Sequence, residues 1–190
     1  MIYEEDDQES EEDFASFVEH APNLTDMVII NSIIDRFVDI EKLKLLEKLV
    51  ISGSEVGSVE GIGILVKMKS LSIENCLNVV AMPDIGSMED LVTLSMAGCV
   101  NLGSLPLGLG GMKKLETLDV SRCHKIVELL DIEEMTSLEN LKIRGCGITL
   151  IPDSVASLPR LRFISLNFFD VTIEPITWEL KIDMVPENEL

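Results

Sequence analysis

Aromatic residues are scarce in this chain, with six Phe, one Tyr and one Trp making up 4% of it, so any hydrophobic core must be built from Leu, Ile, Val and Met. An apolar content of 46% is still enough for a continuous core. Such an aliphatic mixture is expected where many similar layers stack, rather than where a few large rings fill one centre. Basic residues are also few: 15 Lys plus Arg stand against 34 Asp plus Glu, for a formal charge of −19. A field of that sign repels phosphate backbones and anionic lipid, which argues against nucleic acid or a membrane surface as partner. The only two histidines, His20 and His124, have no second imidazole or carboxylate at ligand or catalytic spacing, so neither a metal nor His-based catalysis is expected.

Long apolar runs are missing too. The longest candidate, Met27 to Ile34, is interrupted by Asn31 and Ser32 and falls far short of the roughly 20 residues that span a bilayer. The opening Met1-Ile2-Tyr3, followed by acids, lacks the positive region and apolar stretch of a secretory signal, so a cytoplasmic or nuclear location is expected. Around Gly108-Leu109-Gly110-Gly111-Met112-Lys113-Lys114 the full G-x-x-x-x-G-K-[ST] pattern of a phosphate loop is absent, and no cofactor is expected.

What the chain does contain is a period. Leu24, Leu46, Met68, Leu91, Leu115, Leu138 and Leu161 recur about every 23 residues. Three residues after each anchor stand Met27, Leu49, Leu71, Leu94, Leu118, Leu141 and Ile164, and two residues further Ile29, Ile51, Ile73, Met96, Val120, Ile143 and Leu166. This L-x-x-L-x-L spacing and period resemble a leucine-rich repeat. Alternation around the last two apolar residues predicts a short strand with those side chains inward. Upstream, apolar pairs at minus six and minus three, such as Ile62 and Leu65 or Ile132 and Met135, have helical spacing and predict α or 3₁₀ return legs. The expected fold is α/β, a leucine-rich-repeat solenoid with a curved parallel sheet on its concave side and short helical returns on its convex side. No single coil buries enough apolar surface to offset its ordering entropy, so stacking must supply the difference.

Three regions follow. Residues 1–13 carry eight acids from Glu4 to Asp13 and no base, which reads as a disordered acidic tail or an acidic interaction arm. Residues 14–170 form the solenoid of about seven repeats, beginning with Phe14, Phe17, Val18 and Ala21 as the return leg of a coil whose strand is missing. Residues 171–190 form a cap and tail, in which Trp178, Leu180, Ile182 and Met184 alternate with polar residues as a closing edge strand would.

Four cysteines, Cys76, Cys99, Cys123 and Cys146, stand eight residues after successive anchors. One per coil at one position, they read as a structural ladder of free thiols with parallel Cβ vectors, not as a metal or disulfide set. No nucleophile, acid and base are placed together, so the chain is not expected to be an enzyme. The candidate binding surface is the concave strand face, where Asp119, Arg122, Lys142, Arg144, Arg162, Phe163 and Phe168 bring charge and aromatic area to the later coils.

The run Leu91-Val-Thr-Leu-Ser-Met-Ala-Gly-Cys99-Val-Asn-Leu-Gly-Ser-Leu-Pro106 and its neighbour Leu115-Glu-Thr-Leu-Asp-Val-Ser-Arg-Cys123 resemble repeats of plant intracellular nucleotide-binding leucine-rich-repeat immune receptors. The Cys column and the prolines Pro83, Pro106 and Pro152 carry the likeness; Leu130 in place of a proline and the absence of Cys from the first two repeats depart from it. The resemblance implies a ligand-sensing and autoinhibitory domain that engages a pathogen effector, a guarded host protein or an intramolecular switch domain. The alternative is a stand-alone intracellular adaptor that docks a signalling enzyme.

Overall fold

The computed structural model describes residues 2–4, 11–129, 132–167, 172–173 and 181–183. In chain order the elements are β1 (Ile2–Glu4), α1 (Glu11–His20), β2 (Asp26–Ile30), β3 (Ile33–Arg36), β4 (Lys48–Ser52), β5 (Glu55–Ser58), β6 (Ser70–Glu74) and β7 (Thr93–Ser95). Then follow β8 (Thr117–Asp119), β9 (Asn140–Lys142), β10 (Leu150–Ile151), α2 (Asp153–Ala156), β11 (Phe163–Ser165), β12 (Thr172–Ile173) and β13 (Lys181–Asp183). One nine-stranded sheet has the order β1-β2-β4-β6-β7-β8-β9-β11-β13, with every pair parallel. Seven of these strands are the ones that the anchors predict.

Register follows the repeat residue by residue: Leu49 lies opposite Met27 and Leu71, and Leu118 opposite Leu94 and Leu141. Leu49, Leu94 and Leu141 are fully buried, as are the anchors Leu46, Met68, Leu91, Leu115 and Leu138. The return legs carry 3₁₀ turns at Ile40–Lys42, Glu60–Ile64, Leu109–Gly111 and Ile132–Glu134, and α2 in the sixth coil. Ile40, Ile62, Leu109, Ile132 and Val155 on these legs point into the same apolar spine. Ahead of β7 the leg has turns only, yet it still buries Ile85 and Met88. The period therefore sets burial, while helix formation on the return varies. This is a leucine-rich-repeat solenoid.

The front end differs from the sequence expectation. The strand taken as missing ahead of Phe14 is supplied by Ile2–Glu4, which pairs with Val28 to Ile30. Within the segment read as an acidic tail, residues 2–4 are thus a sheet strand and residues 11–13 open α1. Parallel pairing beside β2 gives Ile2 and Tyr3 backbone partners that local composition does not reveal. Phe14 and Val18, one helical turn apart, are buried, and Phe14 meets Phe37 edge to face with centroids 5.4 Å apart. At the other end β13 pairs with β11 and contains Ile182, whereas Trp178, Leu180 and Met184 lie outside the described residues, as does Leu130.

The strands β2, β4, β6, β7, β8 and β9 each lead into a turn with one left-handed residue, seven positions after the anchor. The occupants are Asn31, Gly53, Asn75, Gly98, Arg122 and Gly145, with φ between 52° and 76°. The first five donate their N–H groups to the next coil, as from Asn75 to Ala97 O at 2.8 Å and from Gly98 to Ser121 O at 2.7 Å. Gly98 is doubly constrained: φ is +76°, and a Cβ there would sit 2.2 Å from Asn75 Oδ1 of the preceding coil. We expect Gly98→Ala to cost about 1–2 kcal/mol in urea unfolding, chiefly from the left-handed backbone. Adding Asn75→Gly should return only the part caused by crowding.

Candidate functional site

The inner face is built from the outward residues of the strands, which the ladder holds in rows. At the entry border, N–H groups donate to the preceding coil's carbonyls: Lys69 to Glu47 O at 2.7 Å, Glu116 to Val92 O at 2.9 Å, Glu139 to Glu116 O and Arg162 to Glu139 O, each at 2.9 Å. This row therefore stacks Glu116, Glu139 and Arg162 side by side. At the exit border Arg122 donates its N–H to Arg144 O at 2.7 Å, so these two arginines are neighbours. Between the borders Asp119 faces Lys142 across β8 and β9. Their ion pair is 3.2 Å long, and the Asp119 side chain is 16% exposed. Asp119 also accepts the Ser121 N–H at 3.0 Å, which orients the carboxylate from two sides.

These contacts divide the charged residues of the later coils. Arg122 and Arg144 form one group, in which Arg122 is exposed and Arg144 half-buried. Neither forms an ion pair among the described residues. Lys142 is partly neutralised by Asp119. Arg162 stands at the opposite border, five strand positions from the row of Arg144, or about 16 Å away at ~3.3 Å per residue. Phe163 is half-buried on β11 beside Asn140, and Phe168 lies outside the described residues. Arg122 is further set apart by its backbone, since φ of 64° is uncommon for a residue that is neither Gly nor Asn.

One group on this face escapes sequence reasoning. Glu74 Oε1 accepts the hydroxyls of Ser72 and Ser95, each at 2.7 Å. Ser95 is a buried polar residue. Around it Ser70, Ser72 and Thr93 leave a low floor of small side chains at the centre of the sheet. The signal was present as Ser and Thr at successive outward strand positions, but two hydroxyls converging on one carboxylate are visible only across coils.

Below the face runs the column eight residues after the anchor. The Cys99 thiol donates to Ile73 O at 3.2 Å, Cys123 to Met96 O at 3.0 Å and Cys146 to Val120 O at 2.9 Å, each reaching the preceding coil. Cys76 reaches Glu74 O in its own coil at 3.4 Å and Ile51 O at 3.9 Å. Ser32 and Ser54 fill the same column in the first two coils and donate to Ile30 O and Ser52 O at 3.0 and 3.1 Å. Ser54 Oγ also accepts the Ser32 N–H at 3.2 Å. All four thiols are free, and among the described residues no three His, Cys, Asp or Glu are grouped to hold a metal. A hydrogen bond with Cys76, then burial, raises the Cys99 thiol. Burial pushes Cys123 up to about 11 and Cys146 up to about 12.

Residues 24–145, more than half of the chain, match the family model described as the leucine-rich-repeat domain of the endo-beta-N-acetylglucosaminidase EndoS. The chain belongs to this leucine-rich-repeat family. No curated relative matches it. Among solved structures, the repeat domain is similar to an internalin from Listeria monocytogenes, at 22% identity and a TM-score of 0.70, over 87% of this chain and 50% of that one. It is similar to the leucine-rich-repeat domain of the type III effector XopL at 26% identity and a TM-score of 0.53, over 70% and 44% of the two chains. The Arabidopsis receptor kinase HAESA, solved with the peptide hormone IDA and the co-receptor SERK1, matches at 19% identity and a TM-score of 0.60, over 84% and 28%. The repeat domain thus spans half or less of the length of these structures. Among its described residues no helix is long and apolar enough to cross a membrane.

The thiol column carries a pH signature. A thiol titrating higher in the folded than in the unfolded chain favours folding while the unfolded thiol is still protonated, and that contribution is lost as pH rises toward the folded value. Urea unfolding should therefore show stability falling from about pH 9, the ordinary thiol value, toward pH 11–12. Replacing Cys123 and Cys146 by Ser should flatten this fall.

Proposed function

We propose that this repeat domain is a protein-recognition module that binds through the exit border of its inner face in the fifth and sixth coils. The observation that carries the reading is the pairing of Arg122 and Arg144, held together by a 2.7 Å backbone hydrogen bond and lacking ion pairs among the described residues. In a chain of charge −19, two arginines on neighbouring strands whose side chains form no ion pair among the described residues favour a carboxylate-bearing partner surface, to which Arg offers a planar fork of donors. Keeping Arg at a left-handed turn position costs about 1 kcal/mol relative to Gly, and such local strain is commonest where a side chain serves contact rather than folding. Lys142 supports the edge of this patch, while Arg162 and Phe163 extend its reach across the strand.

The biological setting we infer is recognition and restraint in a plant-type intracellular immune receptor. Its support is the likeness of Leu91 to Cys123 to the repeats of those receptors, together with a fold that HAESA also uses in a receptor. The partner would then be a pathogen effector, a guarded host protein or the receptor's own switch domain, in the cytoplasm or nucleus, and the module would perform no catalysis. A scaffold that docks a signalling enzyme would use the same surface.

The test is triple charge reversal, Arg122→Glu, Arg144→Glu and Arg162→Glu, with folding checked by circular dichroism. Pull-down of candidate effectors, and of a nucleotide-binding switch domain supplied in trans, should fall about tenfold or more, a loss of about 1.4 kcal/mol. Arg162→Glu alone should have a smaller effect than Arg122→Glu with Arg144→Glu. Undiminished capture by the triple variant would remove this face from the binding event.

A further inference from the structure

The cations of the fifth and sixth coils fall into two sets. Lys113, Lys114 and Lys142 are held by the carboxylates of Glu134, Asp90 and Asp119. Arg122, Lys125 and Arg144 form no ion pair among the described residues. These three gather at one turn. Arg122 and Lys125 are exposed where the fifth coil leaves its strand, and Arg144 is joined to Arg122 through the 2.7 Å backbone hydrogen bond. Exposed His124 stands between Arg122 and Lys125 and adds a ring N–H donor in either neutral tautomer. The nearest acids in sequence are Asp119, which is committed to Lys142 and the Ser121 N–H, and exposed Glu128. The adjoining turns, 97–103 and 143–149, contain no acid.

The sixth coil leaves room beside them. Where the fifth has Arg122 and His124, the sixth has Gly145 and Gly147, and the thiol of Cys146 between these points inward to Val120 O. Next to Arg122 and His124 this turn therefore presents only backbone. Arg122 leans on it, since a Cβ at Gly145 would sit 3.4 Å from Arg122 Cα and 3.6 Å from its Cγ. A Cβ at Gly147 would sit 2.6 Å from His124 O. The Gly145 N–H also differs from the five before it in its column, because it has no backbone acceptor among the described residues. An unpaired main-chain donor beside three unpaired cations is a setting for an anion.

We propose that this turn is a phosphate-binding site, which takes a phosphorylated Ser or Thr of a partner protein. The inference rests on the reading of the exit border as the contact surface, and narrows it. Charge selects the group: Arg122, Lys125 and Arg144 carry three formal positive charges. A carboxylate would answer them with one negative charge and two oxygens, whereas a phosphate monoester brings about −1.5 to −2 and three acceptor oxygens. Two guanidinium forks and an ammonium supply donors for all three. The glycine turn leaves space for a tetrahedral head, which is bulkier than a planar carboxylate. The chain's charge of −19 does not prevent this, because at physiological salt exposed charges beyond about 8 Å are largely screened. It does oppose a nucleic acid or an anionic membrane, which would meet many of those acids at once.

The experiment passes degenerate peptides of about nine residues over the intact chain, with phosphoserine or phosphothreonine, Ser or Glu at their centre, and measures the retained sequences by titration. Phosphorylated peptides should bind about tenfold or more tighter than their Glu counterparts. Lys125→Ala, an exposed position outside the inner face, should remove most of that difference. Lys44→Ala, an exposed lysine of the second coil's return leg, should change nothing. Equal binding of phosphorylated and Glu peptides would overturn the phosphate site, and if both were lost in Arg122→Glu with Arg144→Glu the exit border would still stand as a carboxylate surface. Retention of no peptide, an unchanged preference in Lys125→Ala, or capture of phosphatidic acid vesicles in place of phosphopeptides would each overturn the site as well. The pull-downs with the triple arginine variant test the contact surface by itself, so the two failures are told apart.

Discussion

Everything in this molecule depends on backbone hydrogen bonds between neighbouring coils, made at the same place in each. A coil of about 23 residues carries too little apolar surface to order itself, so its strand is stable only when its N–H and C=O groups are shared with the strands on either side. Apolar residues such as Leu94 and Leu118 then meet in a continuous spine. Because those bonds involve no side chains, outward positions are free to vary, and the charged and hydroxyl-bearing residues of the inner face occupy that freedom.

The spine was legible in the sequence because burial at the strand enforces one residue class at fixed spacing. Leu49, Leu94 and Leu141 could be read directly, and so could the return-leg pairs. β1 could not, because Ile2 and Tyr3 sit beside a run of acids whose composition outweighs two apolar residues, and their pairing with β2 is a long-range contact. The candidate site was legible only in part. Arg122, Lys142, Arg144 and Arg162 were recognisable as outward-facing, but whether they cluster depends on which border of the strand each occupies and on which acid lies opposite. Asp119 captures Lys142, and Arg162 falls on the far border.

The column of small polar residues shows how one structural need admits two chemistries. Eight positions after the anchor a donor is required beneath the strand's end, and Ser32 and Ser54 meet it within their own coil, whereas Cys99, Cys123 and Cys146 reach the coil before. A hydroxyl is a stronger donor but expensive to bury; a thiol is weaker, larger and tolerates an apolar setting. The change from Ser to Cys at the third coil coincides with a one-residue shift of the buried residue on the flank, from ten positions after the anchor at Val56 to eleven at Val79. Both mark the same joint as the place where the first two coils give way to a different repeat type.

The left-handed turn column has an implication for how such a chain can be lengthened or shortened. Asn31 and Asn75 each overhang a glycine in the following coil, Gly53 and Gly98, so closely that a Cβ there would force the Asn side chain to turn aside. Excising the second coil alone would bring Asn31 against Asn75, so that one of the two side chains would have to leave its place. Removing or duplicating two adjacent coils preserves the alternation. In this part of the chain the natural structural unit is therefore a couplet of coils rather than a single repeat.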